Sequence, residues 1–251
     1  NLSIIYSDYY YSLALDFVGF KWDSGIKNYN IKYDFKNYIS NTFKLNYGLS
    51  ALYYDFNPGT IKPSNAESGI IFDQLDKKYA FETGLYITAD QEISDQISLS
   101  YGLRYSSFYR LGSSTLNIYA NNNPVTFNPA LQLYEKALPI ATKHYDKNKV
   151  IQTYNYLEPR FSIAYQLQDN QSVKASYNRM VQYLQLISNT SSPTPLDIWT
   201  PSDRFIKPQI ADQVALGYFR NFKEGDYSLE IETYYKKVKN RLDYIDGADL
   251  I

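Results

Sequence analysis

The sequence predicts an all-β fold, a transmembrane antiparallel up-and-down β-barrel made of long strands. Three observations support this fold class. Apolar and polar residues alternate with a period of two, as in strands whose two faces meet different environments. The alternating arms run to about 14–16 residues, whereas strands in soluble proteins average about 5–6. Tight turns at one end of the arms alternate with long connections at the other end, as in membrane barrels.

The clearest predicted strand covers residues 96–107, where one face is apolar and the other is small, polar or charged. The apolar positions are Ile97, Leu99, Tyr101, Leu103 and Tyr105. An Arg or Lys at the bilayer midplane costs roughly 2–4 kcal/mol, so a lipid-facing surface excludes them. We therefore expect these odd positions, and those of residues 43–53, to face lipid, and Arg104 to face the lumen. A soluble two-layer β protein would explain the alternation but neither the arm lengths nor the unequal connections.

In chain order, the first predicted strand ends near residue 15, and a polar loop follows at residues 22–25. Four hairpins come next, at residues 31–54, 77–111, 152–186 and 209–241. Their tight turns fall at Ser40-Asn41, Ser94-Asp95, Asp169-Asn170 and Glu224-Gly225-Asp226. Asn57-Pro58-Gly59 is predicted to end a strand, and a loop runs from there to about residue 75. The meander has about nine strands and no domain boundary.

Two further connections are long and rich in Pro, Asn and Ser, at residues 112–149 and 188–207. Both join the open ends of hairpins whose other ends are tight turns. Because neighbouring tight turns share one side of a meander, we expect both connections on the opposite, external side. The mean hydropathy of −0.44 is compatible with this fold, since only every second strand residue needs to be apolar. The 28 tyrosines suit aromatic girdles at membrane interfaces.

The composition argues against several classes of function. A net charge of −1 gives no attraction to nucleic acid, and the lack of cysteine excludes thiolate metal sites. His144 is the one histidine and lies among charged residues typical of a solvated loop. Glu230 and Glu232 are interpreted as lumen charges, and Asp246 and Asp249 as a polar loop without the EF-hand spacing. We therefore expect no catalytic, cofactor-binding or metal site, and no enzyme.

One motif carries a family resemblance. The stretch Tyr156-Leu157-Glu158-Pro159-Arg160, continued by residues 161–165, resembles TonB-dependent outer-membrane receptors, particularly those of Bacteroidetes-type bacteria. Residues 174–179, 184–196 and 206–217 add to the resemblance, although Gln209 and Gln213 stand where Glu is usual in such receptors. Proline removes a hydrogen-bond donor from a strand, so we expect a bulge or a gap in pairing at Pro159.

The resemblance implies a barrel of about 22 strands with a plug inside it. Residues 1–251 would then form one partial barrel domain, with the plug and the closing C-terminal strands outside this chain. The implied location is the outer membrane of a Gram-negative cell. The implied partners are outer-membrane lipid, the TonB complex through an N-terminal region, and a surface lipoprotein or the barrel-assembly machinery, with no nucleic acid.

Two classes of function follow as expectations. The first is uptake, energised by TonB, of a bulky nutrient of the siderophore, glycan, peptide or cobalamin class. The second is a non-transport role, as a scaffold, a surface-interaction subunit or a fragment held by assembly machinery. Residues 188–204 hold the ligand-contact candidates, which are Trp199, Asp203 and Arg204. The alternative is a loop that packs on its neighbours. The lumen candidates Arg104, Glu158 and Arg160 are expected to hold the plug or to pair with one another.

Overall fold

The computed structural model of the chain describes residues 1–187 and 198–242. Nine long strands follow one another in a single antiparallel sheet. They are β1 Leu2–Leu15, β2 Phe20–Tyr38, β3 Phe43–Pro63, β4 Lys78–Ser94, β5 Ile97–Leu111, β6 Val150–Gln168, β7 Gln171–Gln182, β8 Gln209–Phe222 and β9 Tyr227–Lys239. In the described residues no pairing joins β1 to β9, so the sheet is an open barrel wall.

The shorter elements lie in the connections. Asp73–Gln74 pairs with β3, and three two-stranded ladders join Ser114–Ile118 with Ala141–Tyr145, Val125–Asn128 with Leu133–Lys136, and Leu184–Ile187 with Ile198–Pro201. Single 3-10 turns occupy Asp16–Val18, Ala120–Asn122 and Lys223–Gly225. Among the described residues, no helix has the length and apolar character needed to cross a membrane.

Side chains of the wall alternate between an outward and an inner face. Leu49, Leu85 and Leu103 are 42%, 58% and 42% exposed on the outward face. Phe56 and Phe108, at positions of the opposite parity, are fully buried on the inner face. An apolar face without protein neighbours is what a lipid-facing barrel wall requires. The predicted fold class is therefore confirmed, as is the meander of about nine strands.

Five aromatic side chains form a row across the outward face of β1 to β5. The register aligns Tyr6, Tyr29, Tyr53, Phe81 and Tyr109. On β1, β2 and β3 their next outward neighbours toward the long connections are charged, namely Asp8, Lys27 and Asp55. A change from aromatic to charged side chains is typical of the edge of the lipid-facing band. From this edge, the uncharged outward positions of residues 43–53 match the about 9–11 residues of a tilted transmembrane strand.

The loop predicted at residues 22–25 is wrong, because these residues lie inside β2. The chain turns earlier, at Asp16–Val18 and at Gly19, whose φ of +68° favours glycine. Trp22 is 1% exposed on the inner face of β2. Gly59 leaves room for its indole, since a Cβ at position 59 would lie 2.0 Å from the ring. The residues around Trp22 are mostly polar, so this stretch lacks the apolar–polar alternation by which a strand is recognised in the sequence.

The strand break predicted at Asn57-Pro58-Gly59 is also wrong, since β3 continues to Pro63. The register between β2 and β3 shifts at this point, and such a bulge accommodates a proline. Ser24 Oγ donates to the carbonyl oxygens of Asn57 and Pro58 at 3.0 and 3.1 Å. A side chain of the neighbouring strand thus satisfies acceptors that the interrupted ladder leaves open.

Two other boundaries differ from the prediction. Residues 112–149, expected to be irregular, contain two short antiparallel ladders. The predicted hairpin at residues 152–186 ends early, because the wall strand β7 stops at Gln182. The apolar–polar alternation continues through Leu184 and Leu186, which belong to another two-stranded ladder. It therefore does not show where the chain leaves the wall.

The gap in pairing expected at Pro159 is confirmed. β6 pairs with β5 through Glu158 and Pro159, but its pairing with β7 reaches only to Arg160. Pro159 has no N–H to offer to β7. The carboxylate of Glu158 accepts the backbone N–H of Val181 at 3.3 Å instead. The end of β7 is thereby released from β6, and the chain that follows it can leave the wall.

Candidate functional site

The chain between β7 and β8 folds against the inner face of the wall. We call its described residues, 183–187 and 198–208, the inward segment. Its strand Ile198–Pro201 packs against β2, β3 and β4. The ring of Tyr183, 2% exposed, stacks on Phe108 with centroids 4.7 Å apart and planes 4° apart. The hydroxyls of Tyr183 and Ser106 are 2.7 Å apart. Because Phe108 and Ser106 are inner-face residues, the segment lies inside the barrel.

Hydrogen bonds fix the inward segment at both of its edges. Lys78 Nζ on β4 donates to Thr200 Oγ1 at 2.8 Å. The hydroxyl of Tyr154 on β6 donates to the carbonyl oxygen of Asp203 at 2.6 Å. The Ser202 N–H donates to the carbonyl of Tyr183 at 2.7 Å, which ties the two halves of the segment together. These contacts reach two different wall strands, so the segment crosses the inner face between them.

A cavity of about 570 Å³ lies beside the inward segment. Its lining is mixed: apolar side chains from the segment and β7 meet four polar or charged groups. The lining residues are Met180, Val181, Tyr183, Leu184, Trp199, Ala211 and Val238, together with Glu82, Gln182, Gln209 and Lys236. Small-molecule sites are typically about 300–1,000 Å³, mostly apolar, with a few polar groups that orient the ligand. The cavity has this size and this composition.

The structure separates the three ligand-contact candidates. Trp199 lines the cavity and packs on the buried cluster that includes Tyr183. The carboxylate of Asp203 accepts the N–H groups of Phe205 and Ile206 at 2.8 and 2.9 Å, so it shapes a turn. Arg204 is exposed, with its guanidinium over the Phe205 ring at 5.9 Å. Of the three, only Trp199 is a cavity residue. Residues 188–197, with Pro193 and Pro195, lie outside the described residues.

Two of the three lumen candidates come together. Arg104 Nε lies 3.6 Å from Glu158, and Arg104 Nη2 lies 3.6 Å from Glu82. The hydroxyl of Tyr54 donates to Glu82 at 3.4 Å. Arg160 is exposed on the same face and aligns with Gly102 on β5. The guanidinium of Arg104 thus lies between two carboxylates. One belongs to Glu82, which lines the cavity, and the other belongs to Glu158, beside which β7 separates from β6.

Sequence reasoning missed Glu82, Lys236 and Lys78 as site residues. They come from two distant strands, β4 and β9, and only the tertiary register reveals that Glu82 and Lys236 line one cavity. Lys78 lies on the long-connection side of the aromatic row. Burial lowers the pKa of its ammonium group, and the nearby Asp203 carboxylate partly offsets this shift. Arg110, 3% exposed, donates to the carbonyl oxygens of Tyr79 and Leu111, and burial lowers its pKa as well. The inward segment is therefore flanked by a buried cation, Arg110, and a half-buried one, Lys78.

The remaining charged residues singled out in the sequence form no further site. His144 is exposed, and its Nδ1 lies 2.9 Å from Thr115 Oγ1. Glu230 and Glu232 are exposed positions of β9, and Glu232 lines a second cavity of about 630 Å³ near the tight turns. Asp246 and Asp249 lie outside the described residues. Within residues 1–187 and 198–242, no group of His, Cys, Asp and Glu is arranged to hold a metal ion.

Comparison with known proteins gives one family. The family described as TonB dependent receptor-like, beta-barrel, matches residues 2–250. No curated protein matches the chain.

Solved structures give the same fold. The FrpB iron transporter from Neisseria meningitidis (F5-1 variant, apoprotein form) has a TM-score of 0.52 at 17% identity, covering 88% of this chain and 30% of that one. A double mutant of the Serratia marcescens hemophore receptor HasR, in complex with its hemophore HasA and heme, has a TM-score of 0.53 at 13% identity, covering 96% and 40%. The copper transporter OprC has a TM-score of 0.53 at 11% identity, covering 87% and 31%. The chain thus spans 30–40% of the length of these three structures.

Proposed function

Because the chain belongs to the TonB dependent receptor-like β-barrel family, we propose that it is part of a receptor that imports a bulky nutrient with energy from TonB. The family is one of outer-membrane receptors and transporters rather than enzymes, which agrees with the expectation that the chain is no enzyme. The nutrient is of the siderophore, glycan, peptide or cobalamin class. Neighbours named for iron, heme and copper show that one fold carries several cargoes, so the fold does not select among these classes.

One observation carries this proposal: the cavity beside the inward segment opens on the inner face, where a cargo must pass. Trp199 offers an aromatic surface there, and Gln182, Gln209 and Lys236 offer directional polar groups. The segment that supplies Trp199 is held in place by hydrogen bonds before any ligand arrives. Ligand binding therefore costs little entropy for ordering this segment. We therefore assign Trp199 the main contact with the cargo on its way through the barrel.

The rest of the receptor is part of the same proposal. Residues 1–251 form a partial barrel domain, and a plug with a TonB-binding region precedes it in the full-length protein. The whole barrel has about 22 strands. The likeness of the Tyr156–Arg160 stretch to Bacteroidetes-type receptors supports a Gram-negative source of that kind, and a surface lipoprotein as a partner.

The binding site is tested by Trp199→Ala in the full-length receptor. A well-packed aromatic anchor contributes about 2–4 kcal/mol to binding, so affinity should fall about 30- to 900-fold. The measurement is titration with a ferric siderophore, an oligosaccharide, a peptide and cobalamin, followed by comparison on whichever binds. Phe205→Ala is the matched control, because Phe205 belongs to the inward segment but does not line the cavity. If Trp199→Ala and wild type bind the ligand with equal affinity, and both barrels are folded, the assignment of Trp199 as the main ligand contact is wrong.

A further inference from the structure

A second surface lies on the outside of the wall, on the outward face of the strands β7, β8 and β9 whose inner face lines the cavity. It consists of Arg179 on β7, Asp212 on β8, and Lys237 and Lys239 on β9, and we call it the outer cation patch. The register aligns Arg179 with Asp212 and Asp212 with Lys237. Val214, two residues along β8 from Asp212 and of the same parity, is 54% exposed on the outward face. The patch therefore faces away from the lumen.

The depth of the patch follows from the row next to it. Tyr177, Val214 and Tyr235 are aligned immediately on the tight-turn side. The outward positions of β9 from Tyr227 to Tyr235 carry no charge, and Lys237 is the first charge beyond them. Such a span matches the about 9–11 residues of a tilted membrane strand. The patch thus occupies the level where lipid acyl chains give way to headgroups, on the side of the long connections.

The charges of the patch do not balance. Arg179 donates to both carboxylate oxygens of Asp212, from Nε at 2.7 Å and from Nη2 at 3.2 Å. The Tyr177 hydroxyl donates to the same carboxylate at 2.8 Å. Lys239 acts on Asp212 electrostatically, but within the described residues neither Lys237 nor Lys239 has a carboxylate within 4.0 Å. Three cations therefore share one carboxylate, which already has three donors.

The equivalent level on the first strands is different. There Lys27 lies 3.2 Å from Asp8, and Lys77 lies 3.6 Å from Asp55, so each cation has its own anion. The excess positive charge is thus local to β7, β8 and β9 and is not a general property of the membrane edge. A local excess at headgroup level is complementary to a phosphorylated lipid, which presents its phosphates at this depth.

We propose that the outer cation patch binds the phosphate groups of a lipid headgroup in the external leaflet. Lys237 and Lys239 contact the phosphates, while the Arg179–Asp212 pair holds the ends of β7 and β8 in place beside them. Tyr177 and Tyr235 cover the boundary between headgroup and acyl chain, a position that suits an amphipathic ring. This role concerns the setting of the barrel in its membrane, and it is independent of the nutrient that the receptor imports.

The test compares two sets of substitutions in the purified, detergent-folded full-length receptor. Lys237→Gln with Lys239→Gln removes the two ammonium groups that have no carboxylate within 4.0 Å among the described residues, and Lys27→Gln removes an ammonium that is paired with Asp8 at the same level of β2. The probe is lipid A with its phosphates, with dephosphorylated lipid A and inorganic phosphate as further arms. Each surface cation contributes a factor of about five to the binding of an anionic lipid, so the double variant should bind lipid A about 30-fold more weakly. Lys27→Gln should bind it as wild type does, because this cation lies outside the patch and has its own anion.

Folding is checked first by heat-modifiable migration on gels, and only folded variants are compared. The proposal is supported if the double variant loses affinity for lipid A and wild type prefers the phosphorylated form. It is overturned if the double variant keeps wild-type affinity, or if Lys27→Gln weakens binding as much. Equal binding of dephosphorylated lipid A, or binding of inorganic phosphate as tight as that of lipid A, also overturns it.

Discussion

At the scale of single residues, Glu158 and Pro159 decide where the chain leaves the barrel wall. Pro159 withholds a donor from β7, and Glu158 accepts the Val181 N–H that the ladder no longer serves. Glu158 is 5% exposed and also lies 3.6 Å from Arg104, so its charge is compensated. The Glu158-Pro159 motif thus has a structural role, because the gap in pairing beside it lets the segment that carries Trp199 turn toward the lumen.

Individual site residues were predictable only where the signal was local. The inward side of Arg104 follows from strand parity, and Trp199 follows from its place in a proline-rich connection. The carboxylate of Asp203 makes an Asx turn with two following N–H groups, a local alternative that the functional interpretation overlooked. Glu82 was not predictable as a site residue, since its partners Arg104 and Glu158 lie on other strands.

The fit of Trp22 against Gly59 gives a prediction at this scale. A Cβ at position 59 would lie 2.0 Å from the Trp22 ring, so Gly59→Ala must displace the indole or the strand. Overpacking of this kind costs about 1–3 kcal/mol. Gly69→Ala is the control, because a Cβ at position 69 would have nothing within 4 Å. Urea unfolding followed by tryptophan fluorescence should show a lower midpoint for the substitution at position 59 alone; equal midpoints would contradict the packing.

At the scale of whole elements, the period-two pattern predicted the wall strands well because each strand meets two solvents. The tight turn at Asp169-Asn170 is found as predicted, and the one predicted at Ser94-Asp95 lies one residue later, at Asp95-Gln96. The errors occur where another interaction replaces the ladder. Ser24 satisfies the carbonyls at Asn57 and Pro58, and the period continues through Leu184 although the chain has left the wall. Alternation reports two environments, but it does not identify the partner strand.

The lipid-facing assignment is tested by spin labels on neighbouring residues. Labels at Leu49 and Leu99 should be relaxed more strongly by oxygen, which is concentrated in lipid, than by a water-soluble nickel reagent. A label at Ser98, on the opposite face of β5, should show the reverse order. Power-saturation measurements on the reconstituted full-length receptor compare the three sites. If Leu99 and Ser98 respond alike, the two faces do not meet different solvents and the assignment is wrong.

At the scale of the molecule, the nine strands form a wall with two separate surfaces to which we assign functions. The inner surface holds the inward segment and its cavity, and the outward surface holds the aromatic row and the outer cation patch. Composition and period were sufficient to predict this wall, because lipid imposes the same rule on every strand. The cavity was beyond the sequence, since its lining comes from β4, β7, β8, β9 and the inward segment, and distant strands leave no joint pattern.

We propose that this wall belongs to a receptor whose transport, but not its ligand binding, depends on TonB. The most direct measurement is accumulation of labelled ligand by cells that carry the full-length receptor, with and without TonB. Deletion of TonB should abolish accumulation inside the cell while ligand binding at the cell surface stays at the wild-type level. Accumulation that continues at the wild-type rate without TonB would contradict the claim and favour the scaffold function.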